Sequence, residues 1–206
     1  MGPRMQSKMS KGPQPVNDSA VADHAAPDRP TRRALLGAGV IGAAFALAGN
    51  RPASAASGLS DTDSQAAAFA IGLELAARDL YETAIDAGAS GDVWPVMREQ
   101  HEAYATRLAG ITGISADSRN DEVFDALSGA FDTSDPAAAA FELENTAAAT
   151  HTALIGMVAD REIVAAMASF VSIESRHATV LASLSGQGDD FDALFVNAAT
   201  ALSPEG

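Results

Sequence analysis

One helical pattern occurs twice in the chain, and this repeat is the feature that most limits the folds available to it. Residues 101–113 align without a gap with residues 174–186; both segments contain Ala-Thr-x-Leu-Ala and end in glycine. Further along, Phe-Asp-Ala-Leu occurs at 124–127 and again at 191–194. Self-similarity of this kind indicates a duplicated structural unit. We therefore predict two related halves, at about 62–133 and 134–202, within a domain of residues 60–202.

Apolar residues three and four positions apart form four long stripes, as expected of amphipathic helices that share one core. Alanine, the best helix former, accounts for 46 of the 206 residues, while aromatic residues make up only 5%. Turn-forming residues separate the stripes at 88–91, 110–120 and 134–136, and we place the last turn near 159–162. The sequence therefore predicts an all-α four-helix bundle with a short helix appended to each half and a crossover between the second and third long helices.

Each apolar stripe is interrupted by two polar residues, and these are only glutamate, histidine or tyrosine. In chain order they are Glu74, Tyr81, His101, Tyr104, Glu144, His151, Glu174 and His177. A lone carboxylate in an apolar core is costly, so such groups are protonated, paired or bound to metal. Glu174 and His177 are three residues apart and project from one helix face, and their oxygen and nitrogen atoms together suit iron, manganese or zinc. A metal cage and a hydrogen-bonded network are both open interpretations.

This pattern resembles the ferritin-like superfamily, including rubrerythrin-type and bacterioferritin-type bundles, over about residues 60–186. Such bundles take one glutamate from the first and third helices and Glu-x-x-His from the second and fourth. The metal ligands that the resemblance implies are Glu74, His101, Glu144, Glu174 and His177, with His151 and Tyr104 as weaker candidates. The implied cofactor is iron or manganese. The resemblance also implies a ferritin-like fold for the bundle.

The second helix departs from the family pattern. His101 stands where glutamate is expected, and Tyr104 stands where histidine is expected. The resemblance thus implies one complete half-site, formed by Glu144, Glu174 and His177, and a second half-site whose ligands are altered. Two functions stay open: a degenerate metal site used in redox or metal-stress handling, or a metal-free bundle that acts as a non-enzymatic binding or structural protein. No residue is assigned a catalytic role, and whether the protein is an enzyme is undecided.

The first 55 residues differ in charge and composition from the rest. They carry 7 basic and 3 acidic residues, whereas the remainder carries 24 acidic residues and 6 basic ones, all arginine. Residues 1–30 lack apolar periodicity and are predicted to be disordered. Residues 31–55 run from a basic segment through a modestly apolar one to small residues, which is the order of a signal peptide. Arg32 and Arg33, followed by x-Leu-Leu, resemble the twin-arginine export signal.

We therefore predict export to the periplasm, the cell envelope or the medium, with the twin-arginine machinery and signal peptidase as partners and cleavage after Ala55. The uncharged run 34–49 is shorter than the roughly 20 residues that span a bilayer, so the mature chain is predicted not to span a membrane, although a retained anchor is an alternative.

A net charge of −14 argues against a nucleic-acid partner. The absence of cysteine restricts any metal site to oxygen and nitrogen ligands. The pattern is compatible with a homo-oligomer.

Overall fold

The structure, a computed structural model, describes residue 2 and residues 58–204. Three predictions fall outside the described residues, apart from residue 2: the disordered segment 1–30, the signal peptide 31–55 and the cleavage point after Ala55. Residues 58–204 form helices and contain no strand. The helices are α1 (Asp61–Asp86), α2 (Val93–Thr112), α3 (Asp121–Phe131), α4 (Ala137–Ile155), α5 (Arg161–Leu184) and α6 (Phe191–Phe195). The predicted all-α bundle of four long helices, with a short helix after each pair, is confirmed.

The four long helices pack as two pairs that face each other. Helix α1 lies along α2 and α4 lies along α5, while α1–α4 and α2–α5 contacts join the pairs. Helix α3, in the crossover between α2 and α4, packs against α1. Many of the buried positions are alanine, which allows the helix axes to approach closely. This arrangement turns the inward faces of α1, α2, α4 and α5 toward a common axis.

The core divides into two apolar clusters at different heights. One contains Ile71, Leu108 and Phe170, and the other contains Leu80 and Leu181. On α2, α4 and α5 the glutamate and histidine residues of the stripe lie between the part that joins the first cluster and the part that joins the second, and on α1 Glu74 lies next to Leu75, the last α1 residue of the first cluster. The bundle therefore holds a polar layer between two apolar ones.

Side-chain caps define several helix ends. The Ser60 hydroxyl accepts a hydrogen bond from the Asp63 amide at 3.0 Å at the start of α1, and Asn120 Oδ1 accepts one from the Val123 amide at 3.0 Å at the start of α3. Gly113, with φ of 76°, ends α2 in the left-handed conformation that glycine tolerates best. These local signals fix the lengths of the helices.

The turn between α4 and α5 comes earlier than the sequence suggested. We predicted it near 159–162, but α4 ends at Ile155 and α5 begins at Arg161. Asp160 caps α5 through its side chain, and this capping sets the boundary. A carboxylate oxygen of Asp63, in the first turn of α1, accepts a hydrogen bond from the Ala159 amide at 2.7 Å. This bond fastens the α4–α5 turn to the start of α1.

Among the described residues, no helix has both the length and the apolar character needed to cross a bilayer.

Candidate metal centre

The polar layer holds the six glutamate and histidine residues that the sequence analysis singled out, and Tyr81 and Tyr104 lie in the adjoining apolar clusters; all eight side chains are buried. His101, on α2, lies between two carboxylates. Its Nδ1 is 2.7 Å from Glu74 Oε2, and its Nε2 is 3.0 Å from Glu144 Oε1. Because both ring nitrogens face carboxylate oxygens, this histidine joins α1, α2 and α4 through one side chain.

Glu74 continues the network toward α5 through His151. Its Oε1 is 2.6 Å from His151 Nε2, which in turn lies 3.2 Å from Glu174 Oε1. The second of these contacts lacks hydrogen-bond geometry, and both Glu174 oxygens are buried without a hydrogen-bond partner, as is His151 Nδ1. Such buried unpartnered atoms are uncommon in native proteins and call for an explanation, an ion among the candidates.

Glu144 is the most heavily contacted carboxylate of the layer. Besides His101, its Oε1 accepts a short hydrogen bond from the Tyr81 hydroxyl, and its Oε2 lies 3.0 Å from His177 Nδ1. The other nitrogen of His177 is 2.5 Å from Gln100 Oε1. Glu144 is thus held from α1, α2 and α5 at once.

Burial and pairing act in opposite directions on the three carboxyl groups. For Glu144, burial raises the pKa, but attraction to His101 and His177 and the hydrogen bonds with both rings together outweigh it and hold the pKa well below its usual range. For Glu74, burial is again opposed, here by hydrogen bonds from His101 and His151, and the pKa is lowered. Burial dominates for Glu174, whose pKa is raised despite the nearby His151. Glu174 is therefore the carboxylate whose charge the protein compensates least.

The histidines respond to these carboxylates. Burial disfavours the charged form of His151, but Glu174 and Glu74 together raise its pKa to about 10. Burial opposes the charged form of His101 too, and Glu144 and Glu74 raise its pKa well above the usual value. In the metal-free protein these two rings are therefore cations that partly balance the carboxylates.

Among the described residues, two groups offer ligand atoms that lie within 4.8 Å of one another. We call these the α2 group and the α1 group. The α2 group consists of His101, Glu144 and His177, and the α1 group consists of Glu74, His151 and Glu174. The resemblance placed Glu174 with Glu144 and His177, whereas the structure groups it with Glu74 and His151. The His101 ring lies between the carboxylates of α1 and α4.

Two residues have positions that the sequence analysis did not foresee. His151 was a weaker candidate, yet it lies within the α1 group. Gln100 was not considered, although it flanks the α2 stripe, three residues after one buried position and four before another. Tyr104, the other weaker candidate, stacks on Phe170 with 4.4 Å between ring centroids, and its hydroxyl lies 3.5 Å from Gln100 Oε1. Tyr104 thus touches the edge of the network.

The family model described as "Ferritin-like domain" matches residues 62–187. The chain belongs to this ferritin-like family. The match spans α1 to α5 and all six residues of the two groups, so the predicted ferritin-like fold is confirmed. No curated protein and no solved structure is significantly similar to the chain. Within this ferritin-like bundle, the donor atoms of the two buried Glu and His groups are compatible with a metal site. The unpartnered oxygens of Glu174 are compatible with one too.

Proposed function

We propose that the protein is an exported ferritin-like protein that binds iron or manganese in its bundle core. The observation that carries this proposal is the state of Glu174, whose two buried oxygens have no hydrogen-bond partner and lie beside the donor atoms of Glu74 and His151. A divalent cation would supply partners to these oxygens, whose charge is balanced within the protein mainly by His151, 3.2 Å away. Carboxylate and imidazole ligands suit both metals.

The α1 group is the better prepared of the two. In the α2 group, His101 and His177 are hydrogen-bonded to Glu144 already, so a cation would have to displace those bonds. In the α1 group a cation would displace the contact between Glu74 and His151, but both oxygens of Glu174 are unpartnered. We expect occupancy of the α1 group first, and of the α2 group only at higher metal concentration.

Iron or manganese held there would supply one-electron redox chemistry, with oxygen or peroxide as the natural reactant. The chain's own residues fix the surroundings. The Tyr81 hydroxyl donates to Glu144 and its ring stacks on His101 at 5.4 Å, so this tyrosine restrains two members of the α2 group. Gln100 restrains His177 from the other side. We therefore propose a role in redox or metal-stress handling.

Elemental analysis tests the metal proposal. Protein expressed with iron and manganese available should contain metal that decreases strongly in Glu174→Ala, whereas Glu99→Ala, an exposed glutamate of α2, should retain it. Wild-type protein that is free of metal, and whose stability is unchanged by chelation, would overturn the proposal.

That result would favour a second function, a metal-free bundle that acts as a binding or structural protein. One observation supports it specifically. His101 makes contacts at both nitrogens, to Glu74 and to Glu144, so a charged imidazole ring already stands between two carboxylates where a cation could otherwise bind.

We also propose export by the twin-arginine machinery, followed by cleavage by signal peptidase after Ala55. The support is the pair Arg32 and Arg33 ahead of the apolar run. The double variant Arg32→Lys, Arg33→Lys should accumulate inside the cell, whereas Arg29→Lys should be exported normally. Export of the double variant would refute the twin-arginine route, and an intact N-terminus on the exported protein would indicate a retained anchor.

A further inference from the structure

A cavity of about 230 Å³ lies beside the polar layer, between α1, α3 and α4. Its walls are almost entirely apolar. They include Leu73 and Leu143, on α1 and α4, and Val123 and Leu127, on α3. Leu202, from the segment that follows α6, completes the lining. The crossover helix α3 therefore covers a space next to the candidate metal centre.

The inner end of the cavity is formed by the polar layer. Glu74, His101 and His151 all line it. Glu74 has both oxygens engaged by the two histidines, while His151 uses Nε2 toward the carboxylates and keeps an unpartnered Nδ1. One buried hydrogen-bonding atom of the lining is thus left without a partner.

The outer end of the cavity reaches the protein surface. Ala126 and Glu142 line it and are exposed, in contrast to the buried residues at the inner end. The segment that contributes Leu202 is held in place, because the Leu202 amide donates to Thr150 Oγ1 at 2.9 Å. A molecule entering between α3 and α4 would pass these residues before reaching His151.

We infer that this cavity binds a small uncharged molecule with an apolar body and one hydrogen-bonding group, the latter directed to His151. Size supports this class, because a cavity of about 150 Å³ lined by apolar residues binds benzene, so the present one accepts a ring with a small substituent. Polarity supports it too, since a charged ligand would lose its hydration against apolar walls. The inference does not rest on the proposed metal, because the apolar walls come from residues outside both donor groups and only the inner end is shared with Glu74, His101 and His151.

Calorimetric titration with phenol and with toluene tests the inference. Phenol should bind the wild-type protein, and it should bind more tightly than toluene, although toluene is the more hydrophobic of the two. Ala147→Phe places a ring in the cavity and should weaken phenol binding by about tenfold or more, while Ala149→Phe, on the same helix but outside the lining, should leave it within about twofold. Ala126→Trp, which blocks the outer end of the cavity, should weaken phenol binding to a similar extent. It provides the test if Ala147→Phe folds poorly.

The outcomes separate this inference from the metal proposal. Glu174→Gln should lose metal, because it alters a ligand of the α1 group. It should keep phenol binding, because Glu174 does not line the cavity. Phenol that fails to bind the wild-type protein, or that binds Ala147→Phe equally well, would overturn the cavity assignment whatever the metal content. Toluene that binds as tightly as phenol would overturn the role given to His151.

Discussion

Replacing Glu174 by glutamine should stabilise the protein without metal, and metal should then stabilise the variant far less than it stabilises wild type. The side chain is fully buried, neither oxygen has a hydrogen-bond partner, and burial raises its pKa. A raised pKa of an acid means that folding disfavours the ionised form at neutral pH. Glutamine keeps the size of the side chain and removes the charge, and His151 keeps its contact with Glu74.

The gain is the difference between burying a carboxylate and burying a neutral amide, because the glutamine amide also lacks partners. An unsatisfied buried polar group costs about 1–3 kcal/mol and a charged one costs more, so we expect a gain of about 1–3 kcal/mol. For a chain of this length about 1 kcal/mol shifts Tm by roughly 2–4 °C, so the metal-free variant should melt about 2–12 °C higher than metal-free wild type. A ligand at about 100 times its Kd adds about 2.7 kcal/mol to a protein that binds it, or roughly 5–11 °C. The variant lacks one of the three ligands and should gain about 2 °C or less. Metal should therefore raise the melting temperature of wild type by several degrees more than that of the variant, and narrow or close the gap between them.

Thermal unfolding followed by circular dichroism, with chelator and then with excess Mn²⁺, measures both effects. The control is Glu99→Gln, which changes an exposed glutamate and should track wild type in both conditions. A variant that is no more stable than wild type in chelator, and that gains as much from Mn²⁺, would refute the reasoning about Glu174.

Three further predictions follow from the structure. The carboxylates beside His151 raise its pKa to about 10, so its charged form contributes stability that is complete below pH 6.5 and is lost as pH rises toward about 10. Denaturation midpoints of metal-free protein should therefore fall between pH 6.5 and 10, and a constant midpoint would contradict the pairing of His151 with these carboxylates. Asp63→Ala leaves the Ala159 amide without its partner and should cost about 1–3 kcal/mol by denaturant titration, whereas Asp61→Ala, exposed in the same turn, should cost far less. Gly113→Ala forces a side chain into a left-handed conformation and should lower stability by about 1 kcal/mol in the same assay; an unchanged midpoint would show that the cap does not require glycine.

The helices and their inward faces could be read from the sequence because both depend on local spacing. A residue three or four positions from a buried neighbour shares its face whatever the rest of the chain does. The buried positions of Glu74, His101 and Glu174 followed from that rule. The α4–α5 turn was misplaced by a few residues because its boundary depends on Asp160 acting as a cap and on a distant carboxylate, Asp63, that fastens it.

The partners within the polar layer could not be read in the same way. They depend on how far each helix is shifted along its neighbour, and periodicity carries no information on that shift. His101 contacts carboxylates on both α1 and α4, while Glu174 lies in a group with Glu74 and His151. The resemblance implied a glutamate at position 101, and spacing alone could not show which carboxylates a histidine there would contact.

Each donor group takes one residue from the first half of the repeat and two from the second. Glu74 and His101 precede the crossover, and the other four members follow it. Neither half could therefore assemble a group by itself, and a polypeptide carrying a single half would have to form a homodimer to enclose a cation. Covalent linkage of the halves removes that concentration dependence. It also frees them to diverge, so that His101 and Tyr104 can occupy the places that Glu174 and His177 hold in the other half.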